Sequence, residues 1–177
     1  MFYNEKMNNE KMKKNSIAKK TVPFFSFLLL ITYYLLLTSC THINVYEKDA
    51  AMPKYEWQYS NVPSFTFSIT DTTAEYNLYI VLRHTDAYGY NNICLNVGTK
   101  WPGDSLSYQK VDLQIGNDAT GWEGTGMDDI WELRKSVTHG PFKFKKMGNY
   151  QFTIAQIMRE NPLKNIMSVG IRVEKVK

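Results

Sequence analysis

The stretch YNLYIVLRHT, Tyr76 to Thr85, decides the fold class. Tyr76, Leu78, Ile80 and Leu82 alternate with Tyr79, Val81 and Arg83, so hydrophobicity repeats every second residue, as side chains do on the two faces of a β-strand. Tyr79 and Val81 give the second face apolar character too, and this strand is expected to be covered on both sides. The same period recurs outward in both directions. Before it, SFTFSIT alternates Phe65, Phe67 and Ile69 with Thr66 and Ser68. After it, Asn92 to Thr99 is a third strand, and SYQKVDLQIG carries Val111, Leu113 and Ile115 at period two. IWELRKSV, FKFKK, YQFTIAQIM and SVGIRVEKV supply four more candidates.

The segments between these strands are rich in turn formers: DTTAE, HTDAYGYNN, WPGDS and the pair Gly148-Asn149. From Gly116 to Asp129 the chain loses its period and reads as a long loop or bulged hairpin. One helix-permissive stretch exists, TIAQIMRENPL, which Pro162 limits to about two turns. Eight or nine short strands with almost no amphipathic helix predict an all-β fold: a single antiparallel two-sheet β-sandwich, jelly-roll-like, over residues 61–177, with a closed barrel as the alternative.

The N-terminal part has a different character. A lysine-rich segment precedes the apolar run Val22 to Leu37, and Leu37-Thr38-Ser39-Cys40 closes it. About sixteen apolar residues are few for a bilayer span, which needs about 20, and the pattern predicts a cleaved signal peptide over residues 1–39. Met7 and Met12 are alternative starts. The final four residues match a lipobox, in which the peptide is cut before the cysteine and the thiol and new amine of Cys40 are acylated, palmitate being the expected label. Cysteine suits this role because its thiolate is a strong nucleophile, and several acyl chains hold a domain firmly on a membrane. Residues 40–60 are expected to be a lipidated N-terminus and tether.

Six of the 21 basic and two of the 17 acidic side chains precede Cys40, so the remainder is formally neutral and offers no basic field for nucleic acid. With 177 residues, 44% of them hydrophobic, the chain fills one core. Cys94 would have no disulfide partner once Cys40 is acylated, and reads as a buried, inert thiol. His42, His84 and His139 show no zinc spacing, and His84 and His139 occupy strand-end or turn positions where surface histidines are ordinary. No nucleophile elbow or phosphate loop is present. Asp118, Glu123, Asp128 and Asp129 are weak candidates for calcium, although turn chemistry accounts for the same residues. No metal and no cofactor beyond the covalent lipid on Cys40 is expected. Trp57, Tyr59, Tyr88, Tyr90, Trp101 and Trp122 fall in predicted loops or strand ends, and Trp101, Trp122, Tyr88 and Tyr90 are candidates for a surface that meets a protein partner or stacks on a glycan.

Three blocks, taken with the lipobox, carry a resemblance: DTT-x-x-YNLYI-x-LRHT at Asp71 to Thr85, G-W-x-G-x-G-x-x-DI at Gly121 to Ile130, and Q-x-MR…VGIRVEK between Gln156 and Lys175. In this order they resemble the gliding motility lipoproteins of the GldH family, found in Bacteroidetes. Gly89 departs from the family pattern, which has a proline between aromatics there, and Met127 interrupts the glycine-rich block. The resemblance implies a lipid-anchored envelope protein that supports surface gliding, works with other motility lipoproteins and with the machinery that secretes surface proteins, and carries no catalytic activity. Members also occur in bacteria that do not glide. Without an acidic run after Cys40, the expected location is the outer membrane facing the periplasm, with an inner-membrane anchor as the alternative. A carbohydrate-binding envelope lipoprotein is the alternative function, and a hydrolase comes third.

Overall fold

The computed structural model describes residues 44–176, together with Phe27 and Leu29, which are helical within the apolar run. Leu37, Thr38, Ser39 and Cys40 lie outside the described residues. The chain from Asn44 onward forms β1 (Asn44–Ala51), a 3-10 turn η1 (Pro53–Tyr55), β2 (Glu56–Trp57), β3 (Ser64–Ile69), β4 (Tyr76–Thr85), β5 (Asn92–Lys100), β6 (Ser107–Gln114), β7 (Gly116–Asn117), β8 (Gly121–Trp122), β9 (Thr125–Met127), β10 (Ile130–Ser136), β11 (Gly148–Gln156), β12 (Leu163–Lys164) and β13 (Ile166–Lys175). One antiparallel sheet runs β1-β13-β4-β10-β9 and the other β3-β11-β5-β6, while β12-β2 and β7-β8 are two-residue ribbons.

The pairing has a simple logic. β1 pairs with β13, β3 with β11, β4 with β10 and β5 with β6, so the eight long strands match first to last, inward to a single hairpin. That long hairpin is then rolled, adding the pairs β13–β4 and β11–β5 that complete each sheet. This is the strand order of a jelly roll, an open two-sheet sandwich and not a closed barrel.

Alternation places the core between the sheets. β3 buries Phe65, Phe67 and Ile69 and exposes the residues between them, and β11 buries Tyr150, Phe152, Ile154 and Gln156. Tyr46 of β1 reaches across to Phe67 of β3 with ring centroids 5.4 Å apart. Each fully buried aliphatic side chain contributes about 2 kcal/mol of transfer free energy.

Four expectations change. Residues 44–57 are not a tether: β1 pairs along β13, Met52 joins the core, and Trp57 is fully buried with its indole N–H donating to the Asn61 carbonyl at 2.8 Å. The sandwich therefore starts at Asn44 and not at residue 61. FKFKK is no strand but a single bridge, Phe142 to Tyr76, followed by Phe144, whose ring sits 4.6 Å from Tyr150 and 5.2 Å from Tyr76 and closes one end of the core. TIAQIMRENPL is not helical; it runs in β11 to Gln156 and then bends. Gln156 fixes that bend, with Nε2 donating to the carbonyls of Trp57 and Glu160 and Oε1 accepting from the Met158 N–H. Finally, the strand buried on both faces is β13; on the outer face of β4 only Val81 is buried.

Candidate functional site

The outer face of the five-stranded sheet is built from the polar half of each strand's alternation. Across the register stand Glu47, Arg172 and Tyr79 in one row, Asp49, Gly170, Val81 and Arg134 in the next, and Ala51, Ser168, Arg83 and Glu132 in a third. Opposite charges bind these rows together. Arg83 donates to Glu132 at 2.8 Å, Arg134 to the other oxygen of the same carboxylate at 2.8 Å, and the buried Arg172 to both Glu47 and Glu174. Partial burial acts to raise the Glu132 carboxyl, but hydrogen bonds from Arg83 and Arg134 outweigh it and hold it below its ordinary value.

Beside this lattice, β9 stops at Thr125 while β10 continues to Ser136. The exposed flank is an open groove of about 770 Å³ lined by Arg83, Glu132, Arg134, Met127, Glu123 and Lys135 among others. Glu123 pairs with Lys135. The groove carries both charge signs and an exposed methionine, a combination suited to polar contacts with another protein chain.

At the end of the sandwich holding the 86–91 and 115–129 loops, Tyr88, Tyr90, Trp122 and His84 come together. Trp122 lies 4.7 Å from the His84 ring and 6.2 Å from Tyr88, and Tyr88 is 5.7 Å from Tyr90. They do not make a flat exposed platform. Tyr88 is buried, and desolvation raises its phenol; Trp122 packs over Gly116, where a Cβ would stand 2.7 Å from the indole. Tyr90 is the exposed member, its hydroxyl 3.3 Å from a Glu160 carboxylate oxygen. Trp101 belongs elsewhere, against Tyr150 at 5.5 Å and Phe144 at 6.4 Å. The four aromatic candidates thus divide between two places.

His84 departs from its sequence reading most sharply: it is fully buried. Its Nδ1 lies 2.8 Å from the Thr85 carbonyl, which makes Nδ1 the protonated nitrogen, and Nε2 is buried with no hydrogen-bond partner among the described residues. Desolvation lowers its pKa. Only the alternation of β4 signalled this, since His84 continues the Tyr76, Leu78, Ile80, Leu82 face.

The calcium candidates serve separate purposes. Asp118 accepts from Asn91 at 2.7 Å, Glu123 holds Lys135, Asp128 adopts a positive φ of 55°, and the Asp129 carbonyl accepts from the Asp86 N–H. No three acidic, histidine or cysteine side chains converge to hold a metal among the described residues. Cys94 is half-buried, on the face of β5 opposite Ile93, Leu95 and Val97; burial first, then the charge of Asp112, raises its thiol, which favours the unreactive protonated form.

Comparison with known proteins agrees with these strands in one respect above all: the match begins where β1 begins. The family model for the GldH lipoprotein matches residues 44–173. The chain is 28% identical over 158 residues to a gliding motility lipoprotein GldH homolog of Christiangramia forsetii, covering 85% of this chain and 96% of that one. It is 29% identical over 153 residues to the gliding motility lipoprotein GldH of Flavobacterium johnsoniae, covering 82% and 94%. Among solved structures, the infectious bursal disease virus VP2 subviral particle aligns at 13% identity with a TM-score of 0.29, and the chain spans 32% of that chain's length. A score that low bears no weight here.

Proposed function

Because the chain belongs to the GldH lipoprotein family, we propose that it is a non-catalytic, lipid-anchored component of the apparatus that supports bacterial gliding. Cys40 carries the acyl chains, and the domain faces the periplasm from the outer membrane. Its protein partners, other motility lipoproteins or components of the associated secretion machinery, meet the groove beside β10 and the adjoining Gly116 to Asp129 segment. The observation that carries this reading is the match over residues 44–173, nearly the whole sandwich, to a family whose relatives are named for motility. The geometry supports it further. The charged groups around the groove are engaged in mutual pairs that shape a surface, as Arg83, Glu132 and Arg134 do.

Two measurements test it. Cys40→Ser should abolish palmitate incorporation, because a hydroxyl does not replace the thiolate; persistent labelling of that variant would sink the lipidation reading. In-cell crosslinking followed by mild-detergent purification of tagged protein should recover motility or secretion proteins, with the yield falling in the Cys40→Ser strain. Recovery with glycan alone would replace a protein partner by a carbohydrate.

A further inference from the structure

One end of the sandwich gathers features that the reading above leaves unused. Strand register defines that end: Asn44 at the start of β1 stands opposite Glu174 near the end of β13, and Lys175 stands opposite Tyr76 at the start of β4. Ser136 pairs with Tyr79, Gly148 with Ile69, and Ser107 with Thr99. The loops 70–75, 101–106 and 137–147 therefore all leave from the end where β1 begins. The Tyr88, Tyr90 and Trp122 cluster is at the other.

The 137–147 loop presents cations from a rigid base. In FKFKK the alternation persists without a strand: Phe144 is buried and Phe142 half-buried, its ring tilted against Phe144 at 4.7 Å, while Lys143, Lys145 and Lys146 are exposed. Lys146 is tied to Asp104 at 3.1 Å and Lys175 to Asp71 at 2.7 Å. Lys143 and Lys145 make no such pair among the described residues, and Glu75 is the carboxylate in these loops outside the two pairs. Met147, 67% exposed, and Leu106, 39% exposed, add apolar side chains at the same end.

Covalent length sets what this end meets. Three residues, Thr41, His42 and Ile43, separate Cys40 from Asn44, so the acylated cysteine stands at most about 14 Å from the start of β1. A ten-residue strand such as β4 spans about 33 Å. The tether therefore keeps the lysine-bearing end within reach of the leaflet that would anchor Cys40, while the far end lies a strand length further along the domain.

We propose that this end of the domain seats on the anionic headgroups of the leaflet that holds the acyl chains, Lys143 and Lys145 facing lipid phosphates and Met147 and Leu106 entering the headgroup layer. The proposal rests on the acylation of Cys40. An acyl anchor joined to a basic, partly apolar surface is a two-signal attachment, and it fixes which way the domain points: the groove beside β10 and the aromatic end face away from the bilayer or along it.

The test uses full-length acylated protein carrying Cys94→Ser and a single fluorophore, at Met147→Cys or at Gly89→Cys on the far end, in vesicles bearing a headgroup quencher. Vesicles are phosphatidylcholine alone or mixed with phosphatidylglycerol. The expected result is quenching at residue 147 and not at 89 in anionic vesicles, reduced by high salt. Lys143→Glu with Lys145→Glu should lower the seated-to-lifted ratio by at least about fivefold per lysine while flotation with the vesicles is unchanged. Equal quenching at 147 and 89, or at 147 in neutral and anionic vesicles, overturns the seating. Protein that does not float overturns the acylation reading itself, a separate outcome from floating without quenching.

Discussion

At the scale of single residues, His84 has the clearest physical signature. With its Nε2 buried and without a partner among the described residues, the folded ring takes up a proton less readily than the unfolded chain, which binds one near the ordinary value of 6.5. Its folded pKa is lowered, so between that value and about 6.5 the unfolded state holds more protons and stability falls as pH falls, by at most about 1.4 kcal/mol per pH unit. Urea unfolding of the wild type between pH 7.5 and 5 should show this slope, and His84→Phe should flatten it; an unchanged slope in the variant would assign the effect elsewhere. The sequence showed the alternation that carries His84 inward but not the Trp122 ring that seals it, because that ring arrives from a segment without period. Gln156 was equally hidden: a polar residue in an apolar strand gives no hint that it ties three backbone groups together.

Elements differ in how openly their residues declare them. β3, β4, β5, β11 and β13 were legible because one face alternates into the core. β1 was not, since NVYEKDAA contributes only Tyr46 and Ala50 to the core side and bears Glu47 and Asp49 on its outer face and an exposed Lys48 on the other, the charge expected of an edge strand. Gly170 holds this strand in place. A Cβ there would stand 2.0 Å from the Asp49 carboxylate and 2.5 Å from the Lys48 backbone carbonyl. Gly170→Ala should therefore cost about 2 kcal/mol and speed hydrogen exchange in β1, whereas Ser168→Ala, which removes a buried hydroxyl lacking a partner among the described residues, should be neutral or stabilising by up to about 1 kcal/mol. Equal losses in the two variants would mean that crowding at Gly170 is relieved elsewhere. The glycine-rich block follows similar logic: Gly116 and Gly126 leave room for the Trp122 and Trp131 rings, with Cβ distances of 2.7 and 2.9 Å. Its glycines and tryptophans read as a loop because their packing is between rings and bare backbone, which no hydrophobic period records.

For the whole molecule, the consequence of the rolled hairpin is that the first long strand is completed by the last. A chain beginning at Thr41 should unfold cooperatively with a β-dominated circular dichroism spectrum. One beginning at Asn61 loses β1, Met52 and Trp57, and should show a broad transition and a weak near-ultraviolet signal. Cooperative unfolding of the shorter chain would show that β1 is dispensable. The two-sheet class was readable from strand count and turns; the pairing order was not, because alternation says which face of a strand is buried and nothing about which neighbour it takes.

That pairing order also bears on how such a chain crosses a membrane. In a chain exported N-terminus first, β1 would emerge before its partner β13, so no sandwich could close on the far side while the C-terminal strands were still inside. If Cys40 is acylated as proposed, a modification made before β13 emerges meets an open polypeptide, three residues from a strand whose partner has yet to arrive. The fold postpones its own completion until its last long strand has emerged.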